Sequence, residues 1–167
     1  MTLKFRPALE SDIDSVFSLI AKRVYWMDKV GIRQWNATDY LRVYPREYYL
    51  ACQKNHELYL YEDNDVITGV FVLFDKDVRW KDNDEVSDAC YLHNLATDPA
   101  VKGLGRFLIT KAEEVTVQRG KRRLRLDCAV DNPFLNEYYE EMGYKLCGEC
   151  IDDLYIGNLR EKFLVNS

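Results

Sequence analysis

The clearest hydrophobic pattern in the chain lies in residues 90–118, where an apolar stretch gives way to a helical repeat. The first part suits a strand that ends before Asp98-Pro99, because proline cannot continue a ladder of strand hydrogen bonds. In the second part, apolar residues recur at helical spacing until Gly120 ends the pattern. The apolar positions are Tyr91, Leu92, Leu95 and Ala96 in the strand and Leu104, Leu108, Ala112 and Val115 in the helix. We therefore expect a strand, a short turn and a helix here.

Before this stretch, the pattern predicts a short strand, two helical regions and two further strands. Ser11 with Asp14 resembles a capping box at the start of the first helix. The Asp63-Asn64-Asp65 sequence predicts a hairpin turn between strands at residues 57–62 and 66–74. Residues 75–88 are acidic and poor in apolar side chains, and they predict a long loop.

After the central helix, apolar and polar residues alternate over residues 124–130 and predict another strand. A strand that follows a strand and a helix should run parallel to the first strand, with a right-handed crossover. Asn132-Pro133 predicts the cap and first turn of a further helix, and the chain then closes with strands near residues 144–149 and 159–165. The order β-α-α-β-β-β-α-β-α-β-β predicts a mixed α/β (α+β) fold, and the length of 167 residues predicts a single domain over residues 1–167.

Composition excludes several classes of partner. A net charge of −5 and a pI near 5.1 argue against nucleic acid as a partner. No apolar run is long enough to span a membrane, and the first four residues are not typical of a signal peptide, so we expect a cytoplasmic location.

Five cysteines are an odd number, which predicts reduced and mostly buried thiols. Cys147 and Cys150 form a C-x-x-C motif, but a zinc site needs more ligands and a redox motif should open a helix.

The turn between the central strand and helix carries the chemistry that we consider first. Its sequence is Lys102-Gly103-Leu104-Gly105-Arg106. Glycines allow the backbone to come close to a ligand, and the first amides of a helix have no partner within the helix. Together with Lys102 and Arg106, they predict an anion site that suits a phosphate. The motif is neither a Walker loop nor a good dinucleotide fingerprint.

Two segments resemble motifs of the GNAT superfamily of acyl-CoA-dependent N-acetyltransferases. The sequence Leu95-Ala96-Thr97-Asp98-Pro99, followed after Ala100 by Val101-Lys102-Gly103-Leu104-Gly105, is similar to the family's pyrophosphate loop, Q/R-x-x-G-x-G/A. Residues 132–144 read N-x-x-x-x-x-x-Y-E-x-x-G-Y, which is similar to the family's last helix. The opening Phe5-Arg6-Pro7-Ala8 also resembles a GNAT first strand, so the resemblance covers nearly the whole chain. Ala100 departs from the family's Gln or Arg, and Leu135 departs from a common alanine.

The resemblance implies a mixed, mostly antiparallel six- to seven-stranded sheet flanked by about four helices, with the two central strands parallel and splayed. It implies acetyl-CoA as co-substrate, no metal, and direct transfer of the acetyl group to a primary amine of a small molecule or peptide within a ternary complex. It also suggests a homodimer. The implied cofactor-binding residues are Leu95, Ala96, Thr97, Val101, Lys102, Gly103, Leu104, Gly105, Arg106, Phe107, Asn132 and Phe134.

Tyr139 matches the family's general acid, since a phenol with a pKa of about 10 can donate a proton to the departing thiolate. His93 on the central strand is the candidate general base, because its ordinary pKa of about 6.5 suits accepting a proton near neutral pH. Glu62 and Glu85 are alternatives for the base. The resemblance further implies that a backbone amide near Leu95 faces the thioester oxygen.

Trp26 and Trp35 are the candidates for lining the acceptor pocket, and the acceptor itself stays open. Three other functions also stay open. The first is a non-catalytic acyl-CoA-binding sensor or scaffold on the same fold. The second is a protein that binds another nucleotide at the glycine turn, and the third is a redox protein built on Cys147 and Cys150.

Overall fold

The computed structural model describes residues 2–80 and 88–164. The described residues cluster into two compact units. Unit 1 contains those of Met1–Leu73 and His93–Thr110, and unit 2 contains those of Phe74–Leu92 and Lys111–Ser167. The single domain over residues 1–167 stays a prediction.

The described residues form seven strands, five α-helices and two short 3₁₀ turns. The strands are β1 Leu3–Pro7, β2 Leu58–Asp63, β3 Val66–Phe74, β4 Ala89–Thr97, β5 Arg123–Ala129, β6 Lys145–Asp152 and β7 Tyr155–Phe163. The helices are α1 Ile13–Val30, α2 Tyr40–Val43, α3 Arg46–Lys54, α4 Leu104–Gln118 and α5 Pro133–Glu141, with 3₁₀ turns at Glu10–Asp12 and Trp35–Ala37. The strand order is β1-β2-β3-β4-β5-β7-β6. The predicted mixed and mostly antiparallel sheet is confirmed.

In unit 1, β1, β2 and β3 form an antiparallel arrangement. The turn between β2 and β3 contains Asn64 and Asp65, whose φ angles are 49° and 64°. Positive φ at both central residues is what a two-residue type I′ hairpin requires, so the predicted turn is confirmed. The helix α1 buries one stripe of apolar side chains, which consists of Ile13, Val16, Leu19, Ile20, Val24 and Met27, and it ends at Gly31 with φ of 73°.

The predicted capping box of Ser11 and Asp14 is wrong. The helix α1 begins at Ile13, after the 3₁₀ turn, and the Asp12 carboxylate accepts a hydrogen bond from the Leu9 amide at 2.7 Å. Asp14 instead forms an ion pair with Arg46 at the start of α3, at 2.5 Å. Arg6 also holds the Asp12 carboxylate, at 2.7 Å, so this side chain rather than Asp14 organises the start of the helix.

In unit 2, β5 and β7 are antiparallel, and β6 pairs with the other edge of β7. The ladder between β4 and β5 is parallel and joins Ala89 with Arg123 through to Tyr91 with Arg125. The predicted parallel pair is therefore confirmed. The predicted start of the last strand at residue 159 is wrong, since β7 begins at Tyr155, and residue 165 lies outside the described residues.

All five cysteines are free, and four of them are buried, so the prediction that the thiols are mostly buried is confirmed. Cys147 is exposed and lies in β6, which is not the helix start that a thioredoxin-like motif needs. Within the predicted loop over residues 75–88, Trp80 is buried against Tyr91, while residues 81–87 lie outside the described residues. Across the described parts of the chain, no helix combines the length and apolarity needed to cross a membrane.

Candidate active site

The turn that follows β4 is organised by Asp98. Its amide donates to the Thr68 carbonyl at 2.7 Å, which ties the turn to β3. Its carboxylate accepts from Lys22 Nζ at 2.7 Å and from the Ala100 amide at 2.9 Å. These two donors hold the pKa of Asp98 below its ordinary value. The Val101 amide donates back to the Asp98 carbonyl at 3.0 Å, so the turn has a defined backbone before the glycines.

Gly103 provides the left-handed residue that the chain needs to enter α4. Its φ is 78°, and an added Cβ would meet no heavy atom within 4 Å. Two buried leucines, Leu104 and Leu108, anchor the first turns of α4. A Cβ at Gly69 of β3 would lie only 2.6 Å from Leu108 Cδ1, so any larger residue there would force the Leu108 side chain to move. Gly69 has no distinguishing sequence motif, and sequence analysis missed it.

The predicted cofactor loop is open to solvent apart from its anchors. Leu104 is buried and Gly105 is half-buried, whereas the other loop residues are exposed. The exposed residues are Val101, Lys102, Gly103, Arg106 and Phe107. Phe107 packs edge-on against Tyr61, with ring centroids 5.2 Å apart. The loop therefore presents a helix start with two cationic residues in its sequence, which is an arrangement that binds anions.

The burial of β4 alternates after Leu92. Asn94 and Ala96 are buried, while His93, Leu95 and Thr97 are half-buried. The backbone at Asn94 is left-handed, with φ of 52°, which is uncommon for a residue other than glycine within a strand. Sequence analysis missed Asn94, because nothing local distinguishes it from other polar residues in strands.

Trp26 and Trp35 are both in unit 1, on different elements. Trp26 is half-buried in α1, with the Arg23 guanidinium 4.4 Å from its ring centroid. Burial lowers the pKa of Arg23. Trp35 lies in the second 3₁₀ turn and stacks on Tyr40, with centroids 4.3 Å apart and planes 6° apart.

Three predicted site residues in unit 2 belong to α5 or its cap. The Asn132 side chain accepts from the Leu135 amide at 3.1 Å, so the predicted cap is confirmed. Phe134 is 72% exposed and stacks on Tyr138. Tyr139 points into unit 2, is 8% exposed and packs edge-on against Tyr138 and Tyr144. Burial raises its pKa well above the ordinary range, so the hydroxyl keeps its proton at neutral pH.

Asn136 connects α5 with β5 and β7, and sequence analysis missed it. Its carbonyl oxygen accepts from Asn158 Nδ2 at 2.8 Å and from two nitrogens of Arg160 at 3.2 and 3.3 Å. Its amide nitrogen donates to the Ala129 and Asn132 carbonyls, each at 2.9 Å. The orientation of α5, and with it of Tyr139, depends on this side chain.

The structure describes one of the two alternative candidates for the general base, Glu62. Glu62 forms a short ion pair with Arg6, which also binds Asp12 at 2.7 Å. Both oxygens of the Glu62 carboxylate are engaged by Arg6, and this contact favours a structural role for Glu62. Glu85 lies outside the described residues.

A cavity of about 540 Å³ opens on unit 1. Five carboxylates line it, from Asp12, Asp14, Glu62, Asp65 and Asp98. Four of these carboxylates form ion pairs with arginine or lysine. Among the residues that line it, Glu62 is the only one proposed above for catalysis or binding, so this cavity is not the candidate active site.

The model of the acetyltransferase (GNAT) family matches residues 26–144. That match covers more than half of the chain and includes β4, the glycine turn and α5. The chain therefore belongs to the GNAT acetyltransferase family and is an acyltransferase.

Known proteins are similar to this chain in sequence or in fold. The uncharacterized N-acetyltransferase YesJ of Bacillus subtilis (strain 168) is 26% identical over 148 residues, covering 85% of this chain and 81% of YesJ. A GNAT-family acetyltransferase from Listeria monocytogenes 4b F2365 matches with a TM-score of 0.81 at 21% identity, covering 97% of this chain and 95% of that one. The PaiA N-acetyltransferase from Thermoplasma acidophilum, solved with coenzyme A, matches with a TM-score of 0.73 at 17% identity, covering 98% and 99%. These structural matches confirm the fold.

Proposed function

We propose that this protein transfers the acetyl group of acetyl-CoA to a primary amine of a small molecule or peptide, directly within a ternary complex. The observation that carries the proposal is the exposed glycine turn between β4 and α4 in a chain of the GNAT family. PaiA, which shares the fold, is a protein solved with coenzyme A. The residues assigned below bind the acetyl donor, transfer protons during the reaction or contact the amine acceptor.

The glycine turn fits the diphosphate of the donor. Space around Gly103 is open, so the backbone amides at the start of α4 can approach an anion without a clash. Lys102 and Arg106 add positive charge in the same segment, and Phe107 is exposed beside them in the sequence. We assign Leu95, Ala96 and Thr97 to the donor's pantetheine arm, and Asn132 and Phe134 to further donor contacts.

Acetyl-CoA supplies an activated acetyl group as a thioester and leaves as a thiolate. We assign His93 to accept the proton that the attacking amine nitrogen loses as its bond to the carbonyl carbon forms. The backbone amide near Leu95 donates a hydrogen bond to the carbonyl oxygen, where negative charge develops. Tyr139 donates its phenolic proton to the sulfur as the carbon–sulfur bond breaks, and its raised pKa keeps that proton available at neutral pH.

The acceptor is proposed to meet the aromatic side chains of unit 1, in which Trp26 and Trp35 are both half-buried. Amines bind favourably over aromatic faces when they carry positive charge. The net charge of −5 also favours a cationic acceptor over an acidic one. A homodimer is compatible with this proposal.

Calorimetric titration with acetyl-CoA tests the donor site. Gly103→Val and Gly120→Val form a matched pair, because both glycines have positive φ (78° and 74°) and open surroundings. The two variants should lose similar folding stability. We expect Gly103→Val to raise the Kd for acetyl-CoA about tenfold or more, and Gly120→Val to leave it unchanged. Failure of the wild-type protein to bind acetyl-CoA would refute the proposal.

Release of free CoA thiol with a panel of primary amines tests the reaction itself. We expect Tyr139→Phe to lower kcat about a hundredfold or more without weakening acetyl-CoA binding, because only proton donation to sulfur is lost. Tyr138→Phe on the same helix is the control and should keep its activity. If the wild-type protein binds acetyl-CoA but releases no thiol with any amine of the panel, a non-catalytic acyl-CoA-binding role is favoured instead.

A further inference from the structure

Asn94 is a polar residue with left-handed backbone in the middle of β4, one position before the residues assigned to the donor's arm. We propose that Asn94 is a positioning residue, fixed by the hydroxyls of Tyr40 and Tyr48, that sets the orientation of the peptide groups from Leu95 to Thr97. This inference rests on the proposed function, because it concerns how β4 binds acetyl-CoA. All three residues lie outside the glycine turn in the sequence. The fold of unit 1 brings their side chains together.

Both polar atoms of the Asn94 side chain have a tyrosine partner. Asn94 Nδ2 donates to the Tyr40 hydroxyl at 2.5 Å, and the Tyr48 hydroxyl donates to Asn94 Oδ1 at 2.8 Å. Asn94 is 8% exposed and Tyr40 is 7% exposed, so water competes little for these bonds. Burial raises the pKa of both tyrosines, and both hydroxyls therefore keep their protons at neutral pH.

The two tyrosines are themselves held in place by ring contacts. Tyr40 stacks on Trp35 at 4.3 Å and contacts Tyr44 at 4.8 Å. Tyr48 packs edge-on against Tyr44 at 4.8 Å and against Tyr49 at 5.1 Å. The hydroxyls that reach Asn94 thus come from a packed aromatic cluster on α2 and α3, which limits their freedom to move. Through these two hydroxyls the cluster connects α2 and α3 to Asn94 of β4.

The backbone of Asn94 explains why such a tie matters. A left-handed residue in a strand turns the following peptide group away from the regular ladder direction, and a residue other than glycine keeps this conformation only where its surroundings enforce it. Asparagine tolerates the conformation better than most residues, and here its side chain has two fixed partners. If these bonds break, the peptide groups after Asn94 gain freedom. Donor contacts made through those amides then weaken.

The test compares two ligands and a matched pair of variants. Asn94→Gly keeps the left-handed backbone accessible but removes both hydrogen bonds. Asn64→Gly is the control, because Asn64 also has positive φ, 49°, but lies exposed in the β2–β3 hairpin. Calorimetry measures the Kd for acetyl-CoA and for adenosine 3′-phosphate 5′-diphosphate, which is CoA without its pantetheine arm. We expect Asn94→Gly to raise the Kd for acetyl-CoA about tenfold and to leave that of the truncated ligand unchanged.

The outcomes separate the inference from the proposed function. If the wild-type protein binds neither ligand, the proposed function fails and the inference fails with it. If the wild-type protein binds both, but Asn94→Gly leaves both Kd values unchanged or raises them by the same factor, the positioning role is wrong and the proposed function stands. The Asn64→Gly control should match the wild-type protein for both ligands.

A second measurement asks whether the tyrosines act through Asn94. We expect the double variant Tyr40→Phe, Tyr48→Phe to weaken acetyl-CoA binding severalfold in the wild-type background, and to add nothing to Asn94→Gly. Equal weakening in both backgrounds would mean that the hydroxyls act on the ligand directly, and would overturn the inference. Should Asn94→Gly not fold, Tyr48→Phe alone gives the comparison between the two ligands, since it removes one bond and preserves the ring packing.

Discussion

Replacing Asn136 by alanine should destabilise unit 2 more than most substitutions of a half-buried polar residue. The lost contacts comprise the bonds to its carbonyl oxygen from Asn158, from two nitrogens of Arg160 and from the Cys128 thiol. They also comprise the bonds from its amide to the Ala129 and Asn132 carbonyls. The substitution leaves a small side chain at a point where α5, β5 and β7 meet.

The magnitude follows from which of these partners stay satisfied. The Ala129 carbonyl still accepts from the Asn132 amide at 3.1 Å, and the Asn132 carbonyl still accepts from the backbone amide at position 136 at 3.2 Å. Arg160 is 6% exposed and keeps a bond to the Tyr144 carbonyl, but two of its donors lose their acceptor. A bond to a charged group contributes about 1.5–3 kcal/mol, so the loss should be about 3 kcal/mol in total.

Urea denaturation of the wild-type protein and of Asn136→Ala measures this loss, and thermal melting should show a decrease in Tm of roughly 6–12 °C. Asn158→Ala is the matched control, because it removes from the Asn136 carbonyl oxygen one bond between neutral groups and leaves both bonds from Arg160 in place. We expect Asn158→Ala to lose about 1 kcal/mol. The reasoning is wrong if Asn136→Ala costs less than about 1 kcal/mol, or if Asn158→Ala costs as much as Asn136→Ala.

Three further predictions concern other parts of the chain. Lys22 holds the pKa of Asp98 low, so the stability from this ion pair is present above the ordinary pKa of 3.8 and lost as the pH falls below it. Urea titrations at a series of pH values should therefore show that the free energy of unfolding falls less at acid pH in Asp98→Asn than in the wild-type protein. Ellman's reagent should modify one thiol rapidly in the native protein, and Cys147→Ser should abolish that reaction, because the other cysteines are buried. Gly69→Ala should cost about 1–3 kcal/mol in chemical denaturation, because the new Cβ would lie 2.6 Å from Leu108 Cδ1 in the packed core.

Much of the fold could be predicted because several of its boundaries depend on local preferences of single residues. Gly31 and Gly120 end helices with φ of 73° and 74°, as expected for residues without a side chain. The hairpin at Asn64 and Asp65 and the cap at Asn132 have the same origin. Each involves contacts between residues a few positions apart, so the signal is visible in a short stretch of sequence.

The start of α1 shows where local signals fail. Ser11 and Asp14 had the spacing of a capping box, but Arg6 and the Leu9 amide selected Asp12 instead. Arg6 also binds Glu62, a residue 56 positions further along the chain. Several local arrangements could use the same side chain, and its hydrogen-bond partner decides which of them forms. That partner comes from a distant segment, so it is identified only in the folded chain.

The candidate site follows the same division. The glycine turn and Tyr139 were recognisable from motifs, since their residues are close in sequence. Asn94 pairs with tyrosines 46 and 54 positions earlier, and Gly69 leaves room for Leu108 of α4 to pack against β3. Neither residue has a pattern of its own, because hydrogen bonding and close packing between distant segments depend on three-dimensional proximity. The local elements were thus encoded in short stretches of sequence, whereas the residues that orient them became identifiable only in the folded chain.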